Sequence, residues 1–179
     1  MAGRLLAVVG PSGAGKDTLI DAALALRPDI LRVRRVITRP EAAGGEDFEG
    51  VTEAEFDRRL RAGAFAAHWQ AHGLRYALPA SLHADLAGGR TLLFNGSRAA
   101  LPALSAAFAG LVVIAITAPA HLRAARLAAR GREDAAAIEA RLAREVPDLP
   151  AGARIVLNDA TLAEGIARLL AALPAKAEP

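Results

Sequence analysis

A glycine-rich stretch near the start of the chain carries the residues best suited to bind phosphate. It consists of Gly10, Pro11, Ser12, Gly13, Ala14, Gly15, Lys16, Asp17 and Thr18. Glycines let the backbone curl so that successive N–H groups point at an anion, and a lysine can lie across a phosphate chain. We therefore predict a P-loop that binds a nucleoside triphosphate, rather than a strand-to-helix turn without a ligand.

Lys16 and the residue after it sharpen this prediction. The chain has 22 lysine and arginine residues, of which only Lys16 and Lys176 are lysines. A compact ammonium group thus stands at the one position where it would meet a phosphate chain. The usual P-loop places Ser or Thr after this lysine as a ligand of Mg²⁺, whereas here Asp17 comes first and Thr18 follows. Because oxygen ligands of both kinds suit Mg²⁺, Asp17 and Thr18 are its candidate ligands.

Alternating strand-like and helical segments must position this loop. The apolar strand Leu5–Val9 leads into it, and a helix over Lys16–Leu26 follows. Further strands are predicted at Leu31–Ile37, Thr91–Asn95, Leu111–Thr117 and Arg154–Leu157. Further helices are predicted to start at Thr52, at Pro119 (running to about Arg130) and at Thr161. This alternation predicts an α/β fold with a parallel sheet of about five strands flanked by helices.

A segment of different character, about residues 38–86, separates the second and third predicted strands. It contains a polar glycine loop, a short helix and the short runs Ala64–Trp69 and Leu74–Leu78, which suggest a small antiparallel pair. We interpret the segment as a substrate-binding insertion. The sequence predicts a single domain over residues 1–173 and a tail over residues 174–179.

Composition argues against several classes of protein. The chain has no cysteine, which excludes disulfides and thiolate metal sites. A net charge of +3 and an aromatic content of 4% do not favour nucleic-acid binding, so small phosphorylated ligands are expected instead. We predict no signal peptide, no membrane span and a cytoplasmic location, while a homodimer stays open.

Over nearly its whole length the chain resembles the guanylate kinase group of P-loop nucleoside monophosphate kinases. The matching stretches are Gly10–Lys16, Thr38–Arg39, Gly63–Phe65, Arg126–Arg130 and Asn158–Asp159. The resemblance implies a P-loop kinase fold with a helical lid over about residues 126–141. It also implies that Lys16, Arg126 and Arg130 are catalytic, acting on the transferring phosphoryl group. Asn158 is implied to bind the adenine of ATP.

Two departures from that group concern the phosphoryl acceptor. Guanylate kinases carry a guanine-reading glutamate where this chain has Ala67, and an acidic pair where it has Asn95–Arg98. A pocket that no longer pairs with a base edge loses selectivity for that base. Guanine recognition is therefore expected to be lost, and the acceptor pocket is expected to attract anions.

The same regions resemble the ribose 1,5-bisphosphate phosphokinases of bacterial phosphonate catabolism. The shared stretches are the Gly-Lys-Asp ending of the P-loop, Arg35–Pro40, His68–Tyr76 and Asn95–Arg98. This resemblance implies transfer of the γ-phosphoryl group of ATP to the 1-phosphate of ribose 1,5-bisphosphate, with Mg²⁺ as cofactor. The implied product is 5-phosphoribosyl 1-diphosphate.

Basic and polar residues in these stretches are the candidates for binding the acceptor. Those predicted to clamp its phosphates are Arg39, Arg75 and Arg98. Those predicted to hydrogen-bond phosphate or ribose are Tyr76, Asn95 and Ser97. Trp69 is interpreted as packing. Glu46 and Asp47 either orient Arg39 or cap their loop, and the sequence does not decide between these roles.

Two alternatives stand beside this interpretation. The first is a guanylate kinase or another nucleoside monophosphate kinase that uses the same loop. The second is a non-catalytic, guanylate-kinase-like binding module. Such a module would have no need of Lys16, Arg126 and Arg130, so their presence favours an enzyme.

Overall fold

The computed structural model describes residues 3–43, 46–129, 139, 142 and 148–176. Within these residues, strands β1 to β9 span Arg4–Val9, Ile30–Arg32, Arg35–Ile37, Phe48–Gly50, Phe65–Ala71, Leu74–Pro79, Thr91–Asn95, Val112–Thr117 and Arg154–Leu157. Helices α1 to α6 span Lys16–Leu26, Glu53–Arg61, Leu82–Ala87, Leu101–Ala107, Ala120–Ala129 and Leu162–Ala172.

Five strands form one sheet in the order β2-β7-β1-β8-β9. Strands β2 and β7 are parallel, as are β8 and β9, with Ile30 opposite Thr91 and Ile114 opposite Arg154. The apolar runs of β1 and β8 supply the core, where Leu6, Val8 and Ile116 are fully buried. Such continuous apolar runs are typical of strands covered on both faces. The predicted sheet of about five strands flanked by helices is confirmed.

The prediction of one strand over residues 31–37 is wrong. The chain forms β2 in the five-stranded sheet and then β3 in a different sheet. After β2, the N–H of Val33 still donates to the carbonyl of Leu93 at 2.8 Å, and the chain then leaves that sheet. Apolar and basic residues occur in both strands, so the hydrophobic pattern alone gives no sign of the change of sheet.

The second sheet has the order β4-β3-β6-β5. Strands β5 and β6 are antiparallel, with Trp69 opposite Tyr76, which confirms the predicted antiparallel pair. The buried residues Val36, Phe56 and Ala77 form the core under this sheet. The insertion predicted from residue 38 therefore shares its sheet with β3, which begins at Arg35.

The chain divides into two compact units. The first comprises Met1–Ala7 and Pro28–Val112, and the second comprises Val8–Arg27 and Val113–Pro179. The single domain over residues 1–173 stays a prediction. Most of the predicted lid over residues 126–141, including Arg130, lies outside the described residues, as does the end of the predicted tail. In the described part of the chain, no helix combines the length and apolar character needed to span a membrane.

Candidate functional site

The glycine-rich stretch forms the connection between β1 and α1. Strand β1 ends at Val9, and α1 begins at Lys16 directly after Gly15. The φ angle of Gly15 is 85°, a left-handed conformation that glycine adopts without strain. Gly10 lies so close to the carbonyl oxygen of Ile116 that any side chain would clash with it. The tight turn expected of a P-loop is therefore present.

Lys16 lies across this loop. Its Nζ donates to the carbonyl oxygen of Gly10 at 2.8 Å and to that of Pro11 at 3.3 Å. The first N–H groups of α1 have no acceptor within the helix, and the helix dipole places partial positive charge there. The ammonium group of Lys16 and the N-terminus of α1 together form a site suited to binding a polyphosphate.

Asn158 joins several parts of the second unit. Its side-chain Nδ2 donates to the carbonyl oxygen of Ala14 in the loop at 2.8 Å. Its backbone N–H donates to the carbonyl of Thr117 at 2.8 Å, and its own carbonyl accepts from Nη2 of Arg126 at 3.1 Å. The residue is 6% exposed. Asn158 thus links the loop to the end of β8 and to α5.

A cavity of about 400 Å³ opens beside the loop. Its lining combines apolar side chains, among them Leu19 and Leu162, with Thr18, Arg126 and Asn158. Nη1 of Arg126 is buried and has no hydrogen-bond partner among the described residues. A buried N–H without an acceptor is costly, so a ligand atom that accepts from it is stabilised there. The cavity suits a ligand with both apolar and hydrogen-bonding parts, as a nucleotide has.

The first turn of α1 offers oxygen ligands for a metal ion. Asp17 and Thr18 lie there, and Thr18 also lines the cavity. Within the described residues, no group of three or more His, Cys, Asp or Glu side chains converges on one point. Mg²⁺ at phosphoryl-transfer sites needs only one or two protein ligands, because phosphates and water supply the others. Asp17 and Thr18 therefore fit Mg²⁺.

Arg39 and Tyr76, two of the predicted acceptor ligands, lie in one region of the first unit. Tyr76 on β6 pairs with Ile37 on β3, two residues before Arg39. Burial raises the pKa of the Tyr76 hydroxyl, and the positive charges of Arg35 and Arg39 oppose that rise. The guanidinium of Arg39 lies 4.4 Å from the centre of the Phe48 ring. The structure thus brings a phenol and positive charge together, as an anionic ligand requires.

Arg75, another predicted clamp, is held by carboxylates. Its Nη1 donates to Asp57 at 2.6 Å and to Glu53 at 3.2 Å. The hydrogen bond to Asp57 is the main cause that raises the pKa of Arg75. Its guanidinium also lies 4.2 Å from the centre of the Phe56 ring. The charge of Arg75 is thus already balanced within the first unit.

Asn95, Ser97 and Arg98 follow one another at the end of β7. Asn95 is the last residue of that strand, and a 3-10 turn over Arg98–Ala100 begins after Ser97. This turn contacts β5, the strand that carries Trp69. Nε of Arg98 is buried without an acceptor in the described part of the chain. Arg98 therefore has hydrogen-bonding capacity left for a ligand.

A buried ion pair in the first unit was not predicted from the sequence. Arg35 is 6% exposed and makes two hydrogen bonds to Glu46, the one from Nε being 3.1 Å long. Its guanidinium lies 5.0 Å from the centre of the Tyr76 ring, on which Trp69 stacks. Burial of Trp69 in this stack confirms its interpretation as packing. The signal in the sequence was an arginine at the start of an apolar strand.

The carboxylates of Glu46 and Asp47, which lie just before β4, pair with neighbouring arginines. Glu46 binds Arg35, and Asp47 accepts from Nε of Arg34 at 3.0 Å. Both bonds join the residues just before β4 to the start of β3. These bonds to Arg34 and Arg35 were not among the roles considered from the sequence.

Comparison with known proteins finds similar named proteins, although no protein-family model matches the chain. The protein named ribose 1,5-bisphosphate phosphokinase PhnN of Ruegeria sp. strain TM1040 is 49% identical over 154 residues, covering 86% of this chain and 81% of that protein. The chain belongs to the ribose 1,5-bisphosphate phosphokinase family. Membership makes it part of a family of kinases.

Other members of the ribose 1,5-bisphosphate phosphokinase family are longer. The bifunctional ribose 1,5-bisphosphokinase-thymidine phosphorylase of Cupriavidus necator is 48% identical over 174 residues, which cover 96% of this chain. The chain spans only 29% of the length of that relative.

Among solved structures, the guanylate kinase of Anaplasma phagocytophilum matches with a TM-score of 0.63 at 20% identity, covering 94% of this chain and 82% of that one. This likeness shows that the chain has a guanylate-kinase-like fold.

Proposed function

We propose that the chain transfers the γ-phosphoryl group of ATP to the 1-phosphate of ribose 1,5-bisphosphate. An oxygen of the 1-phosphate forms a bond to the γ-phosphorus, the bond to the β-phosphate oxygen breaks, and 5-phosphoribosyl 1-diphosphate and ADP result. The observation that carries the proposal is Lys16 lying across a P-loop in a chain of this kinase family. Since the attacking oxygen is already ionised at neutral pH, the reaction needs alignment and charge neutralisation rather than a strong base.

On the ATP side, the second unit supplies the binding groups. Lys16 and the N–H groups of the loop bind the β- and γ-phosphates. Nη1 of Arg126 donates to a phosphate oxygen, and Arg130 of the predicted lid joins it. Asp17 and Thr18 hold Mg²⁺, which when bound neutralises charge on the phosphate oxygens. The buried Nη1 and the cavity beside it support this assignment.

On the acceptor side, residues of the first unit bind the sugar bisphosphate. Arg39 and Arg98 bind its phosphates, since a guanidinium meets two phosphate oxygens at once. The hydrogen bonds to phosphate or ribose come from Tyr76, Asn95 and Ser97. The indole N–H of Trp69, buried without an acceptor among the described residues, is a further donor in this unit. Arg75 can bind a phosphate of the acceptor only if its hydrogen bond to Asp57 is replaced by one to the phosphate.

The test is a phosphoryl-transfer assay with Mg²⁺ and ATP, in which the products are identified by mass. Ribose 1,5-bisphosphate and GMP are offered separately, and 5-phosphoribosyl 1-diphosphate is expected from the sugar alone. Rapid formation of GDP would instead identify a guanylate kinase and contradict the proposal.

Two lysine variants test the P-loop in the same assay. Lys16→Ala is expected to lower kcat by about 10²–10³-fold, because it removes the positive charge that lies beside the transferred phosphoryl group. Lys176→Ala, which removes the other lysine at an exposed position, is the matched control and is expected to behave as the wild type. Undiminished turnover by Lys16→Ala would contradict the assigned role of the loop.

Other statements about this protein stay predictions. The role in phosphonate catabolism rests on the resemblance to that group of kinases. The cytoplasmic location and the lack of a nucleic-acid partner rest on the sequence alone, and a homodimer stays open.

A further inference from the structure

The side chain of Asn158 occupies a slot between two glycines. A Cβ atom at Gly15 would lie 2.6 Å from its Nδ2, and a Cβ atom at Gly165 on α6 would lie 2.8 Å from its Oδ1. Both distances are shorter than non-bonded atoms allow. The carboxamide therefore fits only because both neighbours lack side chains.

We propose that Asn158 and Gly165 are positioning residues for the P-loop. The inference rests on the proposed binding of ATP, and it assigns Asn158 to orienting the loop rather than to reading the nucleotide base. Nδ2 of Asn158 holds the carbonyl of Ala14, and Gly165 leaves the space that this side chain needs.

Peptide geometry gives this contact its effect. In a trans peptide the C=O and the following N–H point in opposite directions. Because the carbonyl of Ala14 is held toward Asn158, the N–H of Gly15 must point away from Asn158. The contact thus fixes the direction of one of the loop donors directly before Lys16.

Arg126 is held through the same residue. Its Nη2 donates to the carbonyl of Asn158, its Nη1 is buried without a partner among the described residues, and Arg126 is one of the residues that line the cavity. One buried residue therefore sets both the loop and the guanidinium that the proposed function assigns to phosphate. Gly165 acts on the loop through the side chain of Asn158 and does not line the cavity itself, although a Cβ atom there would also lie 3.0 Å from Cδ2 of the lining residue Leu19.

The test compares ATP with inorganic tripolyphosphate, which has phosphates but no base. Affinities for both, with Mg²⁺ present, are measured by calorimetry for the wild type, Asn158→Asp and Gly165→Ala. Asn158→Asp keeps the shape but turns the donor into an acceptor facing the carbonyl of Ala14. Ala167→Ser, which adds one atom at an exposed position on the same helix, is the control for Gly165→Ala.

Both variants are expected to bind ATP and tripolyphosphate about tenfold more weakly, by the same factor for each ligand. The KM for ribose 1,5-bisphosphate is expected to stay unchanged, which a general loss of folding would not produce. Weaker ATP binding with unchanged tripolyphosphate binding would identify Asn158 as a base reader and overturn the inference. Unchanged affinity for both ligands in Gly165→Ala would also overturn it.

Failure of the proposed function gives a different result. A wild type that binds ATP but transfers nothing to ribose 1,5-bisphosphate would contradict that proposal alone, because the binding comparison needs no acceptor. If thermal denaturation shows Asn158→Asp to be unfolded, Gly165→Ala decides the inference. Alanine is the better helix former at that position, so its effect on binding is not one of helix propensity.

Discussion

Two of the predicted arginines differ in how their positive charge is balanced. Arg75 is held by Asp57 and Glu53, whereas Nη1 of Arg126 is buried without a partner among the described residues. A phosphate that approached Arg75 would have to displace a carboxylate already bound there. The same approach to Arg126 would satisfy a buried donor. Arg126 is therefore better prepared than Arg75 to bind phosphate.

A pair of adjacent carboxylates allows a matched test of burial at the residue scale. Glu46→Ala leaves the buried guanidinium of Arg35 without its partner, and we expect the free energy of unfolding to fall by about 3 kcal/mol. Asp47→Ala removes one of the partners of Arg34, whose side chain is 50% exposed and also binds Glu41, and is expected to change stability little. Urea denaturation measures both. Equal effects of the two substitutions would contradict the importance of burial.

At the scale of elements, the bounds of helices and strands follow from the sequence where local signals are strong. Strands β7 and β9 and helix α1 have the bounds predicted from the sequence, because glycines, caps and apolar runs mark their ends. The division of residues 31–37 between two sheets was not predictable, since it depends on which distant strand each half meets. The carboxylates that bind Arg75 were missed for the same reason. Asp57 and Glu53 are 18 and 22 residues away along the chain.

The start of α6 allows a test with a defined dependence on pH. The Thr161 hydroxyl accepts from the N–H of Glu164, and the carboxylate of Glu164 accepts from the N–H of Thr161. Thr161→Ala is expected to lower the free energy of unfolding by about 1 kcal/mol at pH 7, while Thr161→Ser, which keeps the hydroxyl, is the control. Urea denaturation measures both variants.

At acid pH we expect a smaller difference in the free energy of unfolding between Thr161→Ala and the wild type. Hydrogen bonds from Thr161 hold the pKa of Glu164 below its usual 4.5. A carboxylate with a lowered pKa stabilises the fold above its unfolded-state pKa, and that contribution is lost as the pH falls through the lower, folded value. A difference between the variants that grew in acid would contradict this assignment.

At the scale of the whole molecule, the division into two units bears on how the chain unfolds. Strand β1 runs from the first unit into the second, because Arg4–Ala7 belong to one and Val8 and Val9 to the other. If β1 unfolds in one unit, the other unit therefore loses its part of the same strand. The sequence-based prediction of one domain accordingly implies one cooperative transition.

The one tryptophan of the chain makes this prediction measurable. Trp69 lies in the first unit, so its fluorescence follows that unit, while far-UV circular dichroism follows the helices of both. We expect the two signals to change at the same urea concentration. Separate midpoints would show that the units unfold independently and would contradict a single domain.

The bond between Asn158 and Ala14 joins residues 144 positions apart. At about 5–20 residues per second, a ribosome makes Ala14 roughly 7 to 30 seconds before Asn158. During that interval the nascent chain carries a complete phosphate-binding motif that has not received its anchor. On the role inferred for Asn158, cellular ATP is therefore held about tenfold more weakly by the nascent loop, and full affinity is reached only once synthesis has passed Asn158 and approaches α6.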